Sequence, residues 1–360
     1  MKPRVILLST FLTPFRSGAE ACAEEIALRL CDRFDITIVT ARLQKDAPKR
    51  ETLQGKVPVL RIGFGSPVDK WLYPFLAPCT CRGIARYSAG GGPLLLHAIL
   101  ETFAGLALVF CRVLLPSGKR ILTLQTLNRS FLKGPIIRSA EHVTAISEAL
   151  RKIAKKKGKE ALLIPNGLDL SLVPNIPKVP GRLLFVGRLE KMKRVDLLLK
   201  IFKEIRAELP SGVHLRIVGD GSEREHLQVL ATTLGLTDRV TFVGKLSPEG
   251  VYKEYAEAEI FCSLPKTEAL GNVFLEAQAC GCAILATRTG GIPDIVKDGV
   301  TGLLTDIHDF SGQLKGLRRL IKDDAFRKTL AEAGRMHAKN YDWSSIAMAY
   351  RKLYESVAQS

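Results

Sequence analysis

Residues 263–304 read SLPKTEALGNVFLEAQACGCAILATRTGGIPDIVKDGVTGLL, and the fold class follows from this stretch. Val273 to Cys280 reads as a short helix, ended by Gly281 in the position that favours a C-cap. Ala283 to Thr287 is a short buried strand, and the pair Gly290–Gly291 leads to another helix start at Pro293. Two carboxylates, Glu268 and Glu276, flank Gly271 and Asn272, where the first of these helices begins. Unpaired N–H groups at a helix N-terminus beside a glycine bind anions. Carboxylates next to an anion site imply a ligand that also carries hydroxyls. Phosphate and polyol in one pocket describe a sugar nucleotide.

The totals fit such a protein. A chain of 360 residues exceeds one ordinary core and suits two α/β domains. Its 46% hydrophobic and 25% charged residues are those of a globular protein, so disorder is not expected. The formal charge of +17 is lopsided: residues 1–176 hold 26 Lys/Arg against 13 Asp/Glu, and the remainder 27 against 23. The basic excess points to an anionic partner of the first half. Nucleic acid is not expected, since no aromatic-rich basic stripe or nucleic-acid motif appears. The eight cysteines form no C-x-x-C pair and read as reduced, mostly buried thiols of a cytosolic protein.

Two apolar runs invite a membrane reading. The start, MKPRVILLSTFL, is short, and Thr13 to Arg16 offers no small-residue cleavage site, so a buried first strand is expected. Pro93 to Pro116 is divided by His97, Glu101 and Arg112, which favours a strand followed by a buried or membrane-facing helix.

Along the chain, Val5 to Ser9 is a strand without alternation, followed by a loop through Gly18, a helix from Ala19 to Arg33 and a strand from Phe34 to Thr40. That order opens a doubly wound α/β domain. Ala41 to Lys56 reads as a loop, Val57 to Ile62 as an edge strand of antiparallel sense, and Phe64 to Gly92 resists assignment. Strands follow at Leu94 to His97, Arg120 to Leu124, His142 to Ala145 and Leu162 to Pro165, with a serine-capped helix from Ser147 to Lys157. A boundary at Asn166 to Asp169 separates domains at 1–168 and 169–343. The second domain repeats the rhythm with strands at Arg182 to Val186, His214 to Val218, Val240 to Val243, Ile260 to Ser263 and Ala283 to Thr287. A terminal helix within 344–360 is expected to pack back on the first domain.

The motifs IPNGLD, FVGRLEKMKRVDLLL, LRIVGDGSE, VTFVGKL, EALGNVFLEAQACG and TGGIPDIVKDGVTGLL follow in this order from Ile164. Together they resemble family 4 of the retaining GT-B glycosyltransferases. The resemblance implies two Rossmann-like, doubly wound parallel-sheet domains facing across a cleft, the second holding a nucleotide-sugar donor. It implies that Arg188 and Lys193 stabilise the departing diphosphate, in keeping with the charge that grows on phosphate oxygens as the glycosidic bond breaks. It also gives Glu276 the ribose hydroxyls, and Glu268 the donor sugar beside the reacting carbon. Gly18, Gly187, Gly219, Leu246, Gly271, Asn272, Val273 and Phe274 complete the implied donor site.

His97 ends an apolar strand and is the histidine candidate for catalysis. Ile99 and Gln125 stand where relatives often carry histidines. The family's retaining mechanism needs no protein base, because the departing phosphate takes the acceptor's proton. No Asp-x-Asp offers a metal–diphosphate bridge, so neither metal nor cofactor is expected.

The acceptor is expected to be a glycan or a lipid-linked molecule, in cell-surface polysaccharide or glycolipid synthesis. Basic clusters at Arg29 and Arg33, Arg82 and Arg86, and Arg151 to Lys159, beside Trp71 to Leu76, suggest docking on an anionic bilayer. A cytoplasmic enzyme, peripheral at the inner face of the membrane, is the expectation. A catalytically silent GT-B scaffold that binds nucleotide or glycan is the second reading. An NAD-dependent dehydrogenase needs a G-x-G-x-x-G after the first strand, which is missing.

Overall fold

A computed structural model of the chain describes residues 2–15, 18–87, 92–128 and 130–360. It divides into two compact units, Met1–Gly167 with Trp343–Ser360, and Leu168–Asp342.

The first unit comprises β1 (Arg4–Leu8), α1 (Gly18–Leu30), β2 (Asp35–Ala41), β3 (Arg50–Leu53), β4 (Val57–Ile62), α2 (Asp69–Tyr87), β5 (Leu94–Ile99), α3 (Phe103–Leu114), β6 (Lys119–Leu124), α4 (Lys133–Ser139), β7 (His142–Ala145), α5 (Glu148–Lys156) and β8 (Leu162–Leu163). The chain returns to it with the C-terminal helix Trp343–Gln359. The sheet order is β3-β4-β2-β1-β5-β6-β7-β8. β1 lies at its centre, parallel to β2 and β5, which is why Val5 to Leu8 is apolar without alternation. The antiparallel strand is not β4, as expected, but β3, which arises in the stretch read as a loop; β4 runs parallel to β2. The unassigned stretch supplies α2, and residues 88–91 of it lie outside the described ones.

The pleat of the first sheet sorts its side chains onto two faces. Val5, Leu7, Ile36, Ile38, Leu95, Ile99 and Ile121 pack with α1 and with Trp343, Tyr350 and Tyr354 of the C-terminal helix. His97 lies on this same face, between Leu95 and Ile99 in the alternation. It is fully buried, with Nδ1 2.6 Å from the Tyr354 hydroxyl and Nε2 2.7 Å from Thr123 Oγ1. Thr123 Oγ1 in turn lies 2.7 Å from Thr144 Oγ1. Burial lowers the imidazole pKa to about 3, so the ring is neutral, with one nitrogen donating and the other accepting. The expected catalytic role of His97 is therefore corrected. It is a core histidine that ties the sheet to the C-terminal helix, and both ring nitrogens are engaged.

The second unit comprises β9 (Arg182–Val186), α6 (Val195–Ile205), β10 (His214–Val218), α7 (Arg224–Thr233), β11 (Val240–Gly244), α8 (Pro248–Glu257), β12 (Ile260–Ser263), α9 (Asn272–Ala279), β13 (Ala283–Thr287), α10 (Ile292–Ile295), β14 (Leu303–Thr305), α11 (Phe310–Lys322) and α12 (Asp324–Ala338). All its strand pairs are parallel, in the order β11-β10-β9-β12-β13-β14. Chain order reverses between β9 and β12, and the loops leaving these two strands diverge to opposite faces. That divergence opens the crevice where doubly wound sheets bind ligands.

All eight cysteines are free thiols, six of them buried, and burial pushes the Cys22 thiol up to about 12. Among the described residues no helix is long and apolar enough to cross a membrane.

The buried neutral His97 gives stability an acid dependence with a definite sign. Unfolded, the ring takes a proton near pH 6.5; folded, it resists protonation down to about 3. The unfolded state therefore binds more protons over that window, and stability falls as pH drops through it. Between pH 7 and pH 5 this residue removes about 2 kcal/mol. Urea unfolding of wild type and His97→Gln at the two pH values checks this: the wild type must lose more by about that amount.

Candidate active site

The second unit assembles its candidate site at the reversal between β9 and β12. β9 runs into Gly187 and Arg188, and a 3-10 turn at Lys191–Lys193 follows. β12 runs into the loop that carries Glu268 and enters α9 at Gly271. The two loops are stitched together by the Lys266 amide, which donates to the Met192 carbonyl at 2.8 Å. Lys193 Nζ lies 2.6 Å from Glu268 Oε2, with the two side chains only 16% and 17% exposed. Glu268 Oε1 accepts the Ala269 amide, and its carbonyl accepts the Gly291 amide at 3.0 Å. The carboxylate is thus held at both oxygens, and the backbone of Glu268 is pinned by Gly291. Arg188 stands out into solvent, 74% exposed, 2.6 Å from Glu190.

Gly271 permits the turn from this loop into α9. Its φ is +95°, and a Cβ there would meet the Phe274 ring at 2.6 Å and Glu268 Cγ at 3.1 Å. Asn272 and Val273 form the half-buried first turn. Phe274, expected in the donor site, turns both its amide and its ring to the protein. Its N–H donates to the Gly271 carbonyl at 2.9 Å, and its buried ring packs edge-on against Phe261, so it anchors the helix. Glu276 Oε2 accepts from the Tyr255 hydroxyl at 3.1 Å. Burial, together with the Glu276 charge, pushes that phenol well above its ordinary value, which keeps it a donor.

The other expected donor residues line the same carboxyl edge of the sheet. Gly187 donates to the Val218 carbonyl at 3.0 Å, and Gly219 to the Gly244 carbonyl at 2.8 Å. A Cβ on Gly219 would sit 1.9 Å from the Gly187 carbonyl oxygen, so the strand ends close up only with glycine there. Leu246 follows β11, just before Ser247, which caps α8 by accepting the Gly250 amide. Arg188, Lys193, Glu268, Glu276, Gly187, Gly219, Leu246 and residues 271–274 therefore share one edge of one sheet. Gly18 and His97 belong to the first unit. Gly18 opens α1, and Ser17 beside it lies outside the described residues.

The first unit holds polar groups that sequence reasoning missed. Chain order there reverses beside β1, between β1 and β5. After β5, the buried Glu101 pairs with Lys133 at 2.7 Å and accepts the Gln125 amide at 2.9 Å and the Thr126 hydroxyl at 2.7 Å. Lys133 also donates to the Thr126 and Asn128 carbonyls, so the pair fixes the loop after β6. Gln125 and Asn166 exchange two amide hydrogen bonds beneath it. Glu101 had stood out only as a charge interrupting an apolar run, and its partner in a later element leaves no local spacing signal. Removing either member of such a pair costs about 3–5 kcal/mol, because the other charge is left buried alone.

Comparison with known proteins bears on the family and the fold. Residues 172–337 match the family described as glycosyl transferases group 1. Over 191 residues the chain is 38% identical to a D-inositol 3-phosphate glycosyltransferase of Corynebacterium jeikeium, covering 51% of this chain and 45% of that protein. A protein of the same name from Salinispora arenicola is 35% identical, over 48% of this chain and 41% of the relative. The chain thus spans less than half the length of these relatives. The fold extends further. A sucrose-phosphate synthase of Thermosynechococcus elongatus superposes with a TM-score of 0.84 over 100% of both chains, at 22% identity. Anabaena HepE, solved with UDP and glucose, gives 0.79 over 98% of this chain and 100% of its own, at 20% identity. The chain has the GT-B fold.

The loop geometry makes Gly271→Ala a sharp test of the site's construction. A side chain at positive φ, in contact with both Phe274 and Glu268, lowers the unfolding free energy by about 2 kcal/mol or more. Urea titration measures this, and an unchanged midpoint would show that the turn is not the constraint it is here taken to be.

Proposed function

We propose that this protein is a retaining glycosyltransferase that takes its sugar from a nucleoside-diphosphate sugar. The observation that carries the reading is the Lys193–Glu268 pair at the reversal between β9 and β12. Each partner has the chemistry of one half of a sugar diphosphate: an ammonium for phosphate oxygens, a carboxylate for sugar hydroxyls. Arg188, exposed and reaching from the same edge, adds a guanidinium that forks onto phosphate. Glu276, which accepts from the Tyr255 hydroxyl, has the carboxylate chemistry that a ribose hydroxyl requires.

In this mechanism the bond between the anomeric carbon and the diphosphate oxygen breaks as the acceptor oxygen bonds to the same face of that carbon. The acceptor's proton passes to the leaving phosphate oxygen. Arg188 and Lys193 stabilise the charge that accumulates on that diphosphate, and Glu268 orients the sugar. No protein base is required, which agrees with His97 lying inside the core. Charge stabilisation is assigned to these two cations rather than to a metal, so chelator is expected to leave turnover unchanged.

UDP is the first nucleotide to test, because Anabaena HepE was solved with UDP-glucose, and GDP the second. The acceptor is proposed to be a hydroxyl of a glycan or of a lipid-linked molecule. The names of the D-inositol 3-phosphate glycosyltransferases favour a second acceptor class, an inositol phosphate, whose charge suits the basic first half.

A thermal-shift panel of nucleotide sugars followed by turnover assays tests the reading. A bound donor at a hundredfold excess over its Kd stabilises the fold by about 2.7 kcal/mol. Lys193→Ala and Glu268→Ala are each expected to lower transfer, or donor hydrolysis, by about a hundredfold or more. A protein that binds nucleotide but turns nothing over with any acceptor is a scaffold instead. Absence of any shift by nucleoside diphosphates or their sugars removes the donor site itself.

A further inference from the structure

The first unit carries an apolar surface that the donor chemistry does not use. On α2 and just before it, Val68, Trp71, Phe75, Arg82 and Arg86 recur at steps of three, four or seven residues, and so share one helical face. Trp71 is 62% and Phe75 59% exposed. Two rings of α3 meet them: Phe103 packs edge-on to Trp71 at 4.9 Å, and Phe110 lies 5.2 Å from Phe75. Phe64 ahead of α2 and Val113 in the last turn of α3 extend the patch, both more than three-quarters exposed.

These are not core residues left out of a core. Each helix already buries a separate face. Tyr73, Ala77 and Cys81 seat α2, with the Tyr73 hydroxyl donating to the Val39 carbonyl at 2.8 Å. Ala104, Leu108 and Cys111 seat α3. A contiguous aromatic surface on top of such a layer marks an interaction site.

The surrounding charge says what it fits. Lys70 lies over the Trp71 ring at 5.9 Å, and Arg82, Arg86 and Arg112 stand further along the two helices. In residues 63–87 and 102–114 the sole carboxylate is Asp69. It is buried, accepting the Gly65 and Ser66 amides. A second copy of this face would set these cations against one another. An anionic lipid bilayer complements both features: rings enter the headgroup–acyl boundary, and Lys and Arg stay at the phosphates.

We propose that the α2–α3 face docks on an anionic bilayer, with Phe64, Trp71, Phe75 and Val113 in the interface and Lys70, Arg82, Arg86 and Arg112 on its phosphates. The proposal stands independently of the donor chemistry.

Vesicle binding tests it directly. The chain has two tryptophans, and Trp343 is buried, so the emission of Trp71 reports on this face. With phosphatidylcholine vesicles containing phosphatidylglycerol, that emission shifts to the blue and the protein co-sediments. With phosphatidylcholine alone, binding is at least tenfold weaker, and 0.5 M salt weakens the anionic case. Trp71→Ala/Phe75→Ala keeps its circular dichroism and melting temperature but loses at least tenfold in binding. Arg82→Glu/Arg86→Glu loses the preference for anionic lipid. Equal binding to both vesicle types, or none, overturns the proposal. So does a dimer in lipid-free solution that the Trp71→Ala/Phe75→Ala variant dissolves, since the patch then serves self-association.

Discussion

The contact on which the second unit's site depends is the ion pair between Lys193 and Glu268. It joins two loops that leave neighbouring strands in opposite directions, where a doubly wound sheet has no side chain of its own to fill the gap. Everything around the pair holds it in register. The Lys266 amide binds the Met192 carbonyl, the Gly291 amide binds Glu268, and Gly271 turns the chain away into α9 without a Cβ between Phe274 and the carboxylate. A half-buried ion pair of this kind adds little net stability, since desolvation offsets much of the attraction. Its value is positional: a cation and a carboxylate are kept at a shared edge of the sheet, each with most of its solvation already removed.

The first unit solves a different problem with buried polarity. His97, Tyr354, Thr123 and Thr144 form a hydrogen-bonded group inside the sheet–helix layer, and Glu101 with Lys133 fixes the loop after β6. Neither set needs a ligand to be satisfied. The first secures a helix that arrives from the far end of the chain, where burial of Trp343, Tyr350 and Tyr354 would permit sliding along the sheet. Directional bonds to a neutral imidazole set one register. The same residue type that catalyses at an exposed edge serves here as a core fastener, and the pleat of β5 decides which.

What could be read beforehand follows from how each residue is used. The strands at Arg182–Val186, His214–Val218, Ile260–Ser263 and Ala283–Thr287 match the expected spans, because interior parallel strands are apolar on both faces and end at glycines or polar loops. β3 and β14 escaped notice, being short and at the sheet edges, where one side needs no apolar partner. α2 was illegible because Pro74 and Pro78 lie inside it; its buried face, not its propensity, makes it a helix. In the site, Arg188, Lys193, Glu268 and Glu276 were visible through motif order, and their side chains do share one sheet edge. Phe274 was misread because its amide closes the turn at Gly271, and His97 because a sequence motif does not say which face a side chain takes. The Glu101–Lys133 pair left no trace, since its partners meet only in three dimensions.

The basic excess gains a physical meaning once the helices are placed. A charge count over residues 1–176 does not say whether the cations neutralise a ligand, solvate a helix end or line a surface. On α5 the lysines stand exposed beside few apolar groups, as on any solvated helix. On α2 and α3 the arginines accompany the exposed rings of Trp71 and Phe75, and carboxylates are missing from the surface. It is this pairing of apolar area with uncompensated positive charge, rather than the total, that distinguishes one face of the unit from the others. Long-range attraction scales with the net charge and weakens with salt. Short-range attachment scales with the apolar area that leaves water. A surface carrying both is drawn in by one and held by the other.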